Sequence, residues 1–127
     1  MTFSFNPESG LVLVQALITG FAGKATINLA LDTGASRTLI NEDILLSLGY
    51  DRSQAVAQSK ITTGSKIESV AMIQLKSLFA LNQEKTEMIV VCHTLPPSAN
   101  IDGLLGLDFF RGTNLNLDFR TGEIFLS

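Results

Sequence analysis

The stretch Leu29-Ala30-Leu31-Asp32-Thr33-Gly34-Ala35-Ser36 puts a carboxylate directly behind an apolar strand. Ile27, Leu29 and Leu31 alternate with smaller or polar neighbours, which is the period of a half-buried strand. Asp32 therefore emerges from a buried element into a short, flexible turn. Gly34 permits unusual backbone angles and close approach of other groups. The hydroxyls of Thr33 and Ser36, with nearby backbone N–H groups, can surround the carboxylate or brace the turn. Taken alone, Asp-Thr-Gly is also an ordinary turn in which Asp caps its own loop. What lies on either side decides between the two.

Upstream, Leu11 to Thr19 is a strongly apolar run, Gly20-Phe21-Ala22-Gly23 turns the chain, and Lys24 to Leu31 returns as the second strand of a hairpin. Downstream the period changes. Leu39, Ile40, Ile44, Leu45 and Leu48 predict a short amphipathic helix, with Asn41 as N-cap, Glu42 and Asp43 in its first turn, and Gly49 as its stop. Thr63-Gly64-Ser65 is predicted as a hairpin tip between strands Ser59–Thr62 and Lys66–Ile73. Leu75–Leu81 and Glu87–Cys92 are expected to pair around Asn82-Gln83-Glu84-Lys85. Pro96-Pro97 starts a loop. Gly103 to Phe110 leads into a helical turn or two, and Leu115–Phe119 with Glu123–Leu126 closes the chain as a hairpin. A faint internal repeat runs through this order: each half passes from hairpin to apolar strand, Gly-containing turn and short helix.

Composition narrows the function classes. The chain has 127 residues, the size of one domain spanning 1–127, and 46% are hydrophobic, enough for one core. Nine Lys+Arg against twelve Asp+Glu leave a net charge of −3, so no nucleic-acid partner is expected. No segment approaches the ~18 apolar residues of a membrane span, so no membrane partner is expected either. The N-terminal residues do not read as a signal peptide, and a single cysteine rules out an intrachain disulfide framework. A soluble, cytoplasmic domain is the expectation. Cys92 and His93 are neighbours on a strand and point to opposite faces, so they do not form a shared metal or catalytic site. Cys92 reads as core.

The ordered features resemble the retropepsin-like, single-lobe aspartic proteases. They are the Asp32-Thr33-Gly34-Ala35-Ser36 turn, the helix after it, the Gly-tipped hairpin at 63–65, and Leu104-Leu105-Gly106 before a second helix. The resemblance spans roughly residues 11 to 126. It implies an all-β barrel-like fold with one or two short helices, one lobe per chain. It also implies an endopeptidase that uses no metal or other cofactor and cleaves extended peptides through two aspartates. The two share one proton, because like charges a few ångströms apart do not both ionise. This chain has one Asp-Thr-Gly; Asp102-Gly103, Asp108-Phe109 and Asp118-Phe119 lack the motif. The implied partner is therefore a second copy, with Asp32 meeting Asp32 across a two-fold axis.

By the same resemblance, Thr33 bonds across that axis and Gly34 N–H donates to the carboxylate. Ala35 leaves the carboxylate one hydroxyl donor fewer than in two-lobed relatives. Ser36 stands where retroviral-type enzymes commonly carry Asp, at the end of the substrate site. Thr63, Gly64 and Ser65 form the tip of a flap over the peptide, and the loop ending at Ile101 contributes to the pocket wall. Leu104, Leu105 and Gly106 support the site, and the pockets are expected to be apolar. Against this stands a binding or dimerisation module with the same fold and no proteolysis, since fold alone does not fix function.

Overall fold

The computed structural model describes residues 2–127, without the side chain of Thr63, so that part of the expected flap tip lies outside the described residues. After a short strand β1 (Thr2–Ser4), the predicted hairpin forms from β2 (Leu13–Gly20) and β3 (Gly23–Leu31). Val14, Ala16 and Ile18 alternate inward on β2 and meet Ile27 and Leu29 of β3, as a period of two requires. Then follow β4 (Leu39–Asn41), α1 (Glu42–Ser47), β5 (Ala57–Thr63) and β6 (Lys66–Gln74). The rest is β7 (Ser77–Ala80), β8 (Gln83–Thr86), β9 (Ile89–His93), β10 (Gly103–Leu105), α2 (Leu107–Phe110), β11 (Leu115–Asp118) and β12 (Glu123–Leu126). The chain is thus mostly strand with two short helices, as expected. No helix among the described residues is long and apolar enough to cross a membrane.

Among the described residues, nine strands form one curled sheet in the order β5-β6-β9-β4-β10-β3-β2-β7-β8, and β1-β12-β11 form a second. The position of β10 matters most for the site. It lies between β3 and β4, parallel to the first and antiparallel to the second, with Leu105 opposite Leu31 and Leu104 opposite Leu39. Leu105, Leu29, Ile40 and Phe109 are fully buried in the main core. Tyr50 is buried there too. Its hydroxyl donates to Thr19 O at 2.6 Å and accepts from Lys76 N at 2.9 Å, so the phenol enters the core with its polar end satisfied. A smaller apolar cluster, Leu39, Val70, Met72 and Val91, underlies the β5–β6 hairpin, with Ile61, Leu95 and Leu104 packed on it.

Three expectations change. Leu39 and Ile40 belong to β4 rather than to the helix, because pairing with both β9 and β10 outweighs their helical spacing. The helix begins after Asn41 as read, but the Asn41 side chain makes no capping bond. The segment read as a turn at 82–85 is mostly the strand β8. The true turn is Leu81-Asn82, both at positive φ (49° and 59°), which is the twist a two-residue hairpin needs. The polar side chains of β8 make it look like loop, but they belong to an exposed sheet edge. Consequently β9 does not pair with β7. It pairs antiparallel with β6 and parallel with β4.

Candidate active site

Asp32 follows β3 immediately, and its N–H donates to Leu105 O at 3.0 Å, so the β3–β10 pairing continues into the turn. Gly34 N–H donates to Asp32 Oδ1 at 2.8 Å, as the resemblance implies, and Ala35 N–H donates to Asp32 O at 3.2 Å. Asp32 is half-buried; Thr33, Gly34 and Ser36 are exposed. The carboxylate is therefore presented to solvent while its backbone is tied on both sides.

Two residues that sequence reading passed over hold this loop. Thr38 is fully buried, and its N–H and hydroxyl both donate to the Asp108 carboxylate at 2.8–3.0 Å. The same hydroxyl accepts from Gly106 N–H at 3.1 Å, and Leu107 N–H donates to Ala35 O at 2.8 Å. One end of the Asp32 loop is thereby stitched to the start of α2. The visible signal was an Asp two residues beyond Gly106, but nothing local in the chain names Thr38 as its partner. Thr38→Val keeps the shape and removes the hydroxyl, leaving buried groups unpaired. It should cost about 2 kcal/mol of stability. Urea unfolding checks this, and a change below about 0.5 kcal/mol would mean the stitch is dispensable.

Asp102 and Asp118, which lack the motif in the sequence, are engaged elsewhere. Asp102 accepts from Asn28 N at 2.8 Å and continues the β3–β10 edge. Asp118 ends β11, where N–H groups of Thr121 and Arg120 in the following turn hold its carboxyl below the usual range. With Asp108 spent on Thr38, the half-buried Asp32 is the one of these four on a braced loop beside the cleft.

Beside the loop runs a cleft of about 610 Å³. One wall is Gly34, Ala35, Ser36 and Arg37; the other comes from Ser59, Lys60, Ile61 and Thr62 of β5. Leu39, Val91, His93, Leu95, Pro96 and Leu104 complete the lining. The expected apolar floor is present, whereas the cationic Arg37 and Lys60 were not anticipated. Leu105 is buried in the core, and Gly106 lies beneath the loop rather than in the cleft. Ile101 is half-buried and outside this lining. Gly64 and Ser65 form the two-residue tip between β5 and β6, beyond the lining, with Gly64 at φ +61°, a conformation that favours glycine. A second groove of similar volume, between β2, β7 and the terminal sheet, contains no residue of the Asp32 loop.

Cys92 is buried, and burial, reinforced by the nearby Glu42 carboxylate, pushes its thiol up to about 11. His93 faces the cleft instead. The two neighbours point to opposite faces, as the strand period predicts. Among the described residues, no three His, Cys, Asp or Glu side chains gather as a metal-binding set.

The family model for aspartyl protease matches residues 14–109, which include the Asp32 loop, the β5–β6 hairpin and Gly106. The chain belongs to the aspartyl protease family. Its fold is retropepsin-like: it superposes on the crystal structure of a retropepsin-like aspartic protease from Rickettsia conorii with a TM-score of 0.73. That match covers 99% of this chain and 88% of the other at 19% identity. No curated protein matches it in sequence. Against a relative this distant, the retropepsin-like chain keeps the fold with about one residue in five in common. Hence its site is argued from its own side chains.

Proposed function

We propose that this chain is an endopeptidase that acts as a homodimer, each copy supplying one Asp32. The observation that carries this reading is a single braced Asp-Thr-Gly loop at the edge of a cleft, in a chain of the aspartyl protease family. One copy has half of a two-carboxylate site. A two-fold axis through two such loops completes it, with Thr33 available to link them. The pair then holds one proton, because two adjacent negative charges repel. The ionised member takes a proton from water as the water oxygen attacks the scissile carbonyl carbon. The protonated member gives its proton to the carbonyl oxygen. Collapse of the resulting diol breaks the C–N bond, and a proton passes to the leaving nitrogen.

The β5–β6 hairpin suits the role of a flap. Its tip is exposed and carries Gly64, and β5 is the outermost strand of the large sheet, with backbone groups free to bond an extended peptide. Thr63, Gly64, Ser65, Ser36 and Ile101 are proposed substrate contacts in the closed dimer. A cytoplasmic location is proposed on cysteine usage.

Dilution tests the reading. Specific activity should fall as the enzyme is diluted through its dimer dissociation constant, in step with the dimer fraction seen by sedimentation. Full activity in a strictly monomeric sample would overturn it.

A further inference from the structure

The β5–β6 hairpin is held to the rest of the sheet over only part of its length. Ala71 to Gln74 of β6 pair with β9. From Val70 back to Lys66, β6 pairs with β5 alone, and β5 is the outermost strand. The hairpin therefore projects from the sheet with its root at Ala71. The period of two tells which side chains of the projecting part face the cleft. Met72 and Val70 belong to the small apolar cluster beneath the hairpin, so Glu68 lies on the same face. Its cross-strand partner Ile61 packs on that cluster. On β9 the same count runs from Val91, in the cluster, to His93, which lines the cleft. The pair Lys60 and Ser69 faces the other way.

Glu68 and His93 meet where this face leaves the sheet: His93 Nε2 lies 3.7 Å from Glu68 Oε2. Glu68 belongs to the projecting hairpin. His93 belongs to the frame, because it is the register partner of Asn41 in β4. Their contact is an ion pair only when the imidazole carries a proton, and a histidine changes charge between pH 5 and 8. The other charged groups on neighbouring elements are placed differently. Arg37 lines the cleft from the Asp32 loop. Glu42, at the start of α1, is paired with Arg52, and Asp102 accepts from Asn28 N–H. Glu68 is the charge whose contact with His93 links hairpin and frame.

We propose that Glu68 and His93 form a proton-operated latch at the root of the flap, tight at acidic pH and loose toward neutrality. The inference rests on the proposed reading of the hairpin as a flap. With His93 charged, opening the hairpin separates two opposite charges. With it neutral, opening separates an ion from an uncharged ring and costs less. The Glu68 side chain is 43% exposed and that of His93 21%, so water screens the pair and its effect is a few-fold rather than orders of magnitude. A peptide beneath the flap is retained by the closed hairpin, so loosening the root should raise KM more than it lowers kcat. Both side chains act through the flap and are positioning residues.

Amide hydrogen exchange reads the latch without reference to cleavage. Protection factors for the hairpin between Lys60 and Ser69, with the intrinsic pH dependence of exchange divided out, should be about threefold higher at pH 5 than at pH 8. Glu68→Gln and His93→Gln should both show the lower value throughout. His93→Lys, whose charge persists, should keep the higher value up to pH 8. The series on unaltered protein decides even where a variant fails to fold: protection flat from pH 5 to 8 would overturn the latch. So would an equal pH dependence in Glu68→Gln, or a loss in His93→Gln that Glu68→Gln does not share. In the cleavage assay, KM of Glu68→Gln relative to unaltered protein should fall from about three toward one over the same range. A ratio near one throughout would remove the pair from positioning the peptide. Protection that varies with pH as expected, with no cleavage at any pH, would sink the protease reading and leave the latch standing. Cleavage with flat protection would do the reverse.

Discussion

The Asp32→Asn protein is expected to fold, to dimerise and to cleave peptides at least about a thousandfold more slowly than the unaltered chain. The fold should survive because Asn retains a side-chain oxygen where Asp32 Oδ1 accepts from Gly34 N–H. The backbone bonds to Leu105 and from Ala35 do not involve the side chain. Dimerisation should survive as well, since in the proposed dimer the change removes a carboxylate that faces its own copy. Chemistry should not, because an amide neither takes a proton from water nor gives one to the carbonyl oxygen. Steady-state kinetics on purified protein, with circular dichroism and sedimentation as controls, makes the comparison. Cleavage at the unaltered rate would remove Asp32 from the mechanism.

The second large effect is expected from Gly106→Ala. A Cβ at this position would sit 2.7 Å from the carbonyl carbon of Arg37 and 2.8 Å from the carbonyl oxygens of Ala35 and Arg37. All three are backbone atoms, so no side chain can turn aside to make room. The Asp32 loop must rise or α2 must fall away, and either movement strains the bonds from Leu107 to Ala35 and from Gly106 to Thr38. Overpacking of this kind costs about 3 kcal/mol. A loop displaced by about 1 Å costs roughly a hundredfold in rate when it carries the reacting group. Thermal unfolding and kcat/KM should therefore fall together. A variant with unchanged melting and turnover would show that the contact relaxes freely.

The Asp32 loop and the Gly106 turn were both legible in the residues, because each marks a change of period from strand to turn to helix. The β2–β3 and β11–β12 hairpins were legible for a related reason: their partners are neighbours in the chain. The partner of β9 was not. Its apolar residues announce burial, but alternation carries no record of which strand lies alongside, and two distant strands claim it. Leu39 and Ile40 fit a helix and a strand equally well until β10 is placed beside them. The turn at Leu81-Asn82 lacks the glycine that normally signals positive φ, so the polar strand after it passed for loop. The meeting of the Asp32 loop and β5 across one cleft depends on β5 folding back over the loop, a long-range event with no local signature.

The placing of β10 also dictates when the site comes into being. Asn28 and Asp102, joined by hydrogen bonds at its margin, are 74 residues apart in the chain. Closing so long a loop is entropically slow relative to forming the hairpins on either side. During synthesis the Asp32 turn is made early, but its braces at Leu105, Gly106 and Asp108 leave the ribosome much later. Until then β3 and β4 flank an empty slot, and the Asp32 backbone has no partner on that side. Assembly of the carboxylate loop is thus deferred to the last steps of folding, so a half-made chain carries the aspartate without the frame that would put it to use.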